Sequence, residues 1–147
     1  MKTSIYQTGP LGGSREYYER MATFLVTHHP FTWTADHLSY CWVYEIRPEG
    51  RDQIAAYFWL SYAQAEPEQI LEFHACILPE YRRKLWTRNM IYGIADSIVD
   101  ETGCMRYMAQ CHTPTLKKLW RFMGWKVGHI FATYTVPEKE PEDGRII

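Results

Sequence analysis

The chain has 147 residues, of which 46% are hydrophobic and 22% charged, a composition typical of one globular domain that excludes a disordered chain. The formal net charge is -1, so no overall field attracts nucleic acid or an anionic membrane, and any polyanion site must be local. The amino terminus lacks the apolar core of a signal peptide and no apolar run approaches the roughly 20 residues that span a bilayer, which predicts a soluble cytoplasmic protein without a transmembrane segment.

The first half of the chain predicts one helix followed by three strands. Ser14 is a candidate helix cap, and apolar residues at helical spacing predict a helix over residues 15–28. Alternation from Tyr40 to Ile46 and an apolar run from Ile54 to Tyr62 predict an antiparallel hairpin with a turn at residues 48–50. After a turn at residues 66–68, a third strand is predicted over residues 70–78, where Pro79 ends it.

The second half predicts helices that alternate with strands. The elements are a helix between Leu85 and Asp100 ended by Gly103, a strand over residues 105–111, a helix opened by Thr113 and Pro114 and ended by Gly124, and a strand over residues 125–136. Residues 1–136 are therefore predicted to form one domain, and the charged, proline-containing residues 137–147 a flexible tail. This order predicts a single-domain α/β fold whose mixed, mostly antiparallel sheet is flanked by helices.

The four cysteines are too few and too scattered for a disulfide framework, so they are predicted to be buried free thiols. His28, His29 and His37 have no ligand spacing with cysteine or acidic residues, and no metal site is predicted.

The connection after the third predicted strand carries the most specific motif. There an apolar strand meets Pro79, a cationic turn follows, and a helical pattern begins, while Gly124 and Trp125 end a later helix. This combination resembles the GCN5-related N-acetyltransferase (GNAT) superfamily, most clearly over residues 71–127. The resemblance implies a GNAT fold and transfer of an acetyl group from acetyl-CoA to an amine, with the cofactor phosphates at a helix N-terminus. The residues that it places at the cofactor are Ile77, Leu78, Arg82, Arg83, Lys84, Leu85, Trp86, Thr87 and Arg88.

Two features of this segment depart from the family pattern. The positions where the turn usually has small residues hold Leu85 and Thr87, with Trp86 between them, which predicts a degenerate loop whose side chains obstruct the phosphates. The position of the usual tyrosine acid holds Trp120, and indole cannot serve as that acid. Tyr81, Tyr92 and Tyr134 stay open as substitutes.

Glu72 and His74 lie two residues apart on the third predicted strand, so they share one face. The resemblance implies a general base in this region, and these two residues are the candidates; the alternative is an ordinary solvated strand face.

The cationic side chains have alternative interpretations as well. Those of the turn can bind CoA, a nucleic-acid phosphate or only water, and Lys117, Lys118 and Arg121 form either a solvated helix face or a further phosphate site. No RNA-binding motif accompanies them, so nucleic acid is not the expected partner.

Two functions follow from these features. The first is a divergent, acetyl-CoA-dependent N-acetyltransferase. The second is a catalytically inactive GNAT-fold protein with a structural, assembly or protein-binding role, in which an exposed subset of the many aromatic residues would contact partners. The size, the basic turn and the glycine–aromatic segment also resemble small GNAT-like proteins of tailed bacteriophages, which implies a virion or morphogenesis protein in the host cytoplasm or the virion. Expected partners are thus a small-molecule acyl-CoA, a second copy of the chain or a phage assembly protein.

Overall fold

The computed structural model describes residues 2–64 and 69–137. Within these ranges the helices are α1 (Arg15–His28), α2 (Ala35–Ser39), α3 (Arg82–Leu85), α4 (Arg88–Thr102) and α5 (Pro114–Phe122). The strands are β1 (Thr3–Thr8), β2 (Trp42–Pro48), β3 (Ala56–Gln64), β4 (Ile70–Ile77), β5 (Arg106–Gln110), β6 (Lys126–Val127) and β7 (Phe131–Thr135).

The strands form one mixed sheet with the order β1-β2-β3-β4-β5-β7-β6. The neighbouring strands pair antiparallel except for β4 and β5, which are parallel. The predicted fold class, a single α/β domain with a mostly antiparallel sheet flanked by helices, is confirmed.

Helices cover both faces of the sheet because the strands alternate large apolar side chains between them. On the face here called the α1 face, Met21 and Leu25 of α1 pack on Tyr57 and Trp59 of β3. On the opposite α4 face, Ile91, Ile94 and Ile98 of α4 belong to the cluster that contains β-strand residues such as Phe58 and Phe73.

Several predicted elements are confirmed by their capping interactions. Helix α1 has the predicted bounds, and the Ser14 hydroxyl accepts a hydrogen bond from the Tyr17 backbone N–H at 3.1 Å. The Thr113 hydroxyl caps α5 in the same way, and Gly103 ends α4 with a φ of 73°, a left-handed conformation that favours glycine. The four cysteines are buried free thiols, as predicted.

Other boundaries were predicted wrongly. The segment predicted as one strand over residues 125–136 is a hairpin of β6 and β7, because the backbone turns at Gly128, whose N–H donates to the Phe131 carbonyl at 2.8 Å. The helix predicted from Leu85 begins at Arg88, since Trp86 and Thr87 separate it from the short helix α3. The first hairpin strand begins at Trp42, because Tyr40 is the C-terminal cap of α2, and the second strand is Ala56–Gln64.

Strand β1 and helix α2 were not predicted at all. Strand β1 is an edge strand with no buried residue, so it lacks the apolar alternation that marks a strand. Helix α2 has only five residues, too few for a helical period. The predicted turn at residues 66–68 and, from residue 138, the predicted tail lie outside the described residues.

A buried carboxylate links α1 to the sheet on the α1 face. Glu45 of β2 is 2% exposed and accepts hydrogen bonds from Arg47 Nε at 2.7 Å, Arg20 at 3.3 Å and the Tyr57 hydroxyl at 3.0 Å. Both carboxylate oxygens are thereby satisfied, so this network fixes the position of α1 on the sheet.

Candidate functional site

Strands β4 and β5 separate in the middle of the sheet. Their pairing covers two residue pairs, Leu71 with Tyr107 and Glu72 with Met108. Beyond these pairs β4 continues to Ile77 and β5 to Gln110 without further pairing between them, while β5 pairs along its whole length with β7 on its other edge. A gap, here called the wedge, therefore opens between the carboxyl ends of the two strands, the part of an open α/β sheet where ligands commonly bind.

An aromatic cluster of Phe73, Trp86, Trp120 and Trp125 lies beside the wedge on the α4 face. The ring centroids of Trp120 and Trp125 are 4.2 Å apart, those of Trp86 and Trp120 are 5.2 Å apart, and Phe73 lies 6.0 Å from Trp120. Trp120 is 2% exposed, and Phe73 and Trp125 are 4% exposed. The residue at the predicted acid position is thus part of the core.

The cationic turn is folded into helical structure that uses its own amides. The backbone N–H of Trp86 donates to the Arg82 carbonyl and that of Thr87 to the Leu85 carbonyl, both at 2.9 Å. The Thr87 hydroxyl accepts from the Met90 N–H at 3.2 Å and so caps α4. Leu85, at a position where the family pattern has a small residue, is 1% exposed in the core. Amides that would face a phosphate are therefore partly occupied within the chain.

The cations of the turn point in different directions. Arg82 donates from Nε to the Ile77 carbonyl at 3.4 Å, back toward β4. Lys84 lines a surface groove with Lys2 and Arg51. Arg88 donates to the Phe122 carbonyl and lies 4.8 Å from the centroid of the Phe122 ring, on α5. Arg83 is exposed.

Ile77 and Leu78, the other residues expected at the cofactor, belong to the core. Ile77 is 8% and Leu78 7% exposed, and the Leu78 backbone N–H donates to the Ala55 carbonyl at 3.0 Å. The predicted cofactor residues are therefore neighbours in sequence, but their side chains pack and form hydrogen bonds in different places.

The candidate bases Glu72 and His74 lie together on the α1 face. Glu72, at the point where β4 and β5 part, is half-buried, and burial raises the pKa of its carboxyl group. His74 is enclosed: its ring stacks on Trp59 at 5.3 Å and meets the edge of Trp33 at 4.7 Å, and Nε2 lies 3.1 Å from the Ser61 hydroxyl. Burial, followed by the charge of His29, lowers the pKa of His74 to about 4. Glu72 is therefore the better proton acceptor of the two, since it is more accessible and its affinity for a proton is raised.

The three tyrosines considered as substitute acids are placed differently. The Tyr81 hydroxyl donates to Gln53 Oε1 at 3.3 Å, and that of Tyr92 donates to the Met123 carbonyl. Tyr134 stacks on Trp125 at 5.6 Å. Burial raises the pKa of Tyr92 and Tyr134, which weakens both as proton donors.

Nothing in the sequence indicated that Trp33 lies beside the candidate bases. Trp33 contacts His74 from the segment between α1 and α2, and no sequence spacing links it to β4, so only the fold brings it there. Trp125, which the sequence marked as part of the glycine–aromatic segment, packs in the aromatic cluster just after α5. In the described ranges, no three His, Cys, Asp or Glu side chains are grouped to hold a metal ion.

Solved structures with this fold share little sequence with the chain. The ribosomal-protein-S18-alanine N-acetyltransferase from Escherichia coli has a TM-score of 0.67 at 12% identity, over 96% of this chain and 98% of that chain. YncA from Salmonella typhimurium, in a structure with its cofactor acetyl-CoA, has 0.65 at 12% identity, over 97% and 98%. A GNAT-family acetyltransferase from Streptococcus pneumoniae has 0.67 at 10% identity, over 92% and 100%. The architecture is therefore the GNAT acetyltransferase fold, as the resemblance implied.

No family model matches the chain, and none of the curated proteins matches it in sequence. Every helix within residues 2–64 and 69–137 is too short or too polar to cross a membrane.

Proposed function

We propose that this chain is a GNAT-fold protein that acts by binding a protein partner and does not transfer acetyl groups. The observation that carries the proposal is the aromatic cluster beside the wedge, in which Trp120 takes the place of the usual tyrosine acid and packs against Trp86 from the turn. The residues present do not fit acetyl-CoA in this arrangement, because the backbone N–H groups of Trp86, Thr87 and Met90 already have acceptors within the chain and the cations of the turn diverge.

The energetic cost of opening the cluster supports this proposal. A buried tryptophan removes about 150–250 Å² from water, so moving Trp120 into solvent costs about 4–6 kcal/mol. A ligand with micromolar affinity gains about 8 kcal/mol on binding. Displacing this one ring would therefore weaken such a ligand by about three to four orders of magnitude, to millimolar affinity or worse.

Exposed aromatic side chains favour a partner-binding role. Phe31, Tyr40 and Phe122 are 56%, 65% and 66% exposed, although side chains of this kind normally gain stability by burial. Aromatic residues are enriched at protein interfaces. The resemblance to small GNAT-like proteins of tailed bacteriophages favours an assembly role, and a virion is the setting that it indicates.

A second candidate function, acetyl-CoA-dependent N-acetyl transfer, is favoured by Glu72. This carboxylate lies where β4 and β5 part, is half-buried and has a raised pKa, which are the properties of a base that takes a proton from an acceptor amine. In this alternative the phosphates would lie near Arg82, Arg83, Lys84 and Arg88.

Thermal unfolding with acetyl-CoA separates the two functions. A ligand at 100 times its Kd stabilises the folded state by about 2.7 kcal/mol, which raises the Tm of a domain of this size by about 5–10 °C. We expect no shift for the wild type at millimolar acetyl-CoA. A shift of several degrees, accompanied by acetylation of a general amine acceptor that Glu72→Gln abolishes, would overturn the binding-protein proposal in favour of the enzyme.

Substitution of the exposed aromatic rings tests whether they bind a protein partner. Phe122→Ser and Tyr40→Ser each remove an exposed ring with little expected effect on Tm, and we expect at least one to reduce capture of the partner from the natural source. Val26→Ser, which replaces an exposed aliphatic side chain of α1, is the matched control. Capture that neither Phe122→Ser nor Tyr40→Ser reduces would refute a partner site at these two rings.

A further inference from the structure

A cationic groove crosses the end of the β2–β3 hairpin, on the side of the turn to which Lys84 points. Its first part is a cavity of about 460 Å³ lined by Lys2, Pro48, Glu49, Arg51, Tyr81 and Lys84. Its second part, of about 370 Å³, shares Pro48 and Arg51 with the first and adds Arg47 and Asp52. We call these two cavities together the hairpin groove. Each lies within the size range of small-molecule sites.

Backbone contacts hold the three segments of the hairpin groove together. The Glu49 N–H donates to the Lys2 carbonyl at 3.0 Å, and the Leu78 N–H donates to the Ala55 carbonyl at 3.0 Å. Gly50, with a φ of 78°, makes the tight turn between the strands. Tyr81 is 6% exposed and forms part of the lining, where its hydroxyl accepts from Arg51 at 3.5 Å. The lining is thus assembled by the fold from segments that are distant in sequence.

The charges in the hairpin groove are predominantly positive. Lys2, Arg47, Arg51 and Lys84 contribute four cations, against the two carboxylates of Glu49 and Asp52. The ion pairs found in the described part of the chain involve Arg15, Arg20 and Arg47. Lys2, Arg51 and Lys84 take part in none of these pairs, so three cations line the groove without an ion pair to a described residue, although Glu49 and Asp52 lie in the same lining.

Arg47 adds a guanidinium group whose position is already fixed. It donates from Nε to Glu45 and from another nitrogen to the Asp52 carbonyl at 2.9 Å, and its side chain is 23% exposed. A guanidinium group has five N–H donors, so these two bonds leave others for a ligand. A fixed arginine loses little side-chain freedom on binding.

We propose that the hairpin groove binds a small phosphorylated ligand. Phosphate oxygens match the geometry of arginine, and a double negative charge suits a groove with four cations against two carboxylates. The chain has a net charge of only -1, so this positive potential is local. The site is separate from the aromatic cluster and stands whether or not the chain is an acetyltransferase.

Titration with pyrophosphate at low ionic strength, followed calorimetrically, tests the proposal. We expect binding by the wild type and at least tenfold weaker binding by Arg51→Gln, since Arg51 lines both cavities and charge-assisted hydrogen bonds are the strong ones. Lys84→Gln should weaken binding as well. Lys126→Gln, which removes one exposed charge from β6 at the opposite edge of the sheet, is the matched control and should bind as the wild type does.

Two outcomes would overturn the site: no heat of binding at about 10 mM pyrophosphate, which corresponds to negligible affinity, or equal affinity of the wild type and Arg51→Gln. Because Arg51 and Lys84 are exposed, both variants are expected to fold, and their unfolding curves check this. Parallel titration with acetyl-CoA distinguishes the source of the phosphate. Binding of pyrophosphate alone supports a free phosphorylated ligand, and binding of acetyl-CoA that Arg51→Gln weakens supports the same site with a CoA tail in it.

Discussion

His74 should make the folded protein less stable as the pH falls, and replacing it should remove that effect. The imidazole is enclosed between Trp59 and Trp33, where burial and then the charge of His29 lower its pKa from 6.5 to about 4. In the unfolded chain the same residue has its ordinary pKa of about 6.5. Between these two values the unfolded state therefore binds a proton at His74 that the folded state does not.

The size of the effect follows from the two pKa values. Stability is unaffected by His74 above about pH 7, decreases as the pH falls below 6.5, and stops decreasing below about 4. The loss amounts to about 2 kcal/mol at pH 5 and about 3 kcal/mol at pH 4. Glu72 acts in the opposite direction, because its raised pKa lets the folded state bind more protons as the pH falls through its ordinary range. For this reason the wild type must be compared with a variant at each pH.

Urea unfolding at pH 7 and pH 5 is the assay. We expect the free energy of unfolding to fall by about 2 kcal/mol more in the wild type than in His74→Gln. His112→Gln, which replaces an exposed imidazole, is the control and should follow the wild type. Equal pH dependence in the wild type and His74→Gln, or an NMR titration of His74 with a midpoint near 6.5, would refute the enclosure of this residue.

Three further predictions concern stability. Glu45→Gln should cost about 2–3 kcal/mol, because it removes the charge of a buried carboxylate that pairs with Arg20 and Arg47. Glu19→Gln, in an exposed pair, should cost less than about 0.5 kcal/mol, and urea unfolding of both variants checks the difference. Gly93→Ala should stabilise the folded state by up to about 1 kcal/mol, because the added methyl group meets open space within α4. Gly103→Ala should cost about 1–2 kcal/mol, because Gly103 has a left-handed conformation. The two variants should therefore shift the Tm in opposite directions. Trp120→Ala should lower the free energy of unfolding in urea by about 3–5 kcal/mol, because it removes a buried ring. Acetyl-CoA should raise the Tm of this variant more than that of the wild type, since the ring that occupies the space beside the wedge is gone.

The elements predicted correctly are those whose signals are local. Helix α1 has its cap, its period and its end within one stretch of sequence, and the Thr113 cap and Gly103 stop are equally short-range. The order of elements along the chain, apart from β1, α2, the short helix α3 and the division of the last strand into β6 and β7, was also predicted from the sequence. These signals sufficed for the fold class, because few architectures accommodate this order.

The elements that were missed depend on tertiary context. Strand β1 is held by pairing with β2 and contributes no buried side chain, so its sequence shows no apolar face. Gly128 was a sequence signal for the turn between β6 and β7, because glycine is common in turns. In the structure a side chain at this position would approach the Phe131 carbonyl to 3.2 Å. That signal was overridden by the apolar residues on either side of it.

The candidate site was predictable only in part. The sequence identified Leu85 and Trp86 as bulky residues in a turn that usually has small ones, and the structure places Leu85 in the core. It could not reveal that Arg82, Lys84 and Arg88 diverge, because the direction of a long side chain is decided by acceptors and rings that the fold brings near it. The neighbours of His74 were hidden for the same reason.

The short ladder between β4 and β5 has a mechanical consequence. With two residue pairs joining them, the sheet consists of two antiparallel blocks, β1 to β4 and β5 to β7, whose backbone continuity across the middle is slight. Side-chain packing against α4 must supply most of the cohesion between the blocks. Shear and hinge motions should therefore concentrate along this seam, and amide hydrogens beside it should exchange sooner than those in the interior of either block.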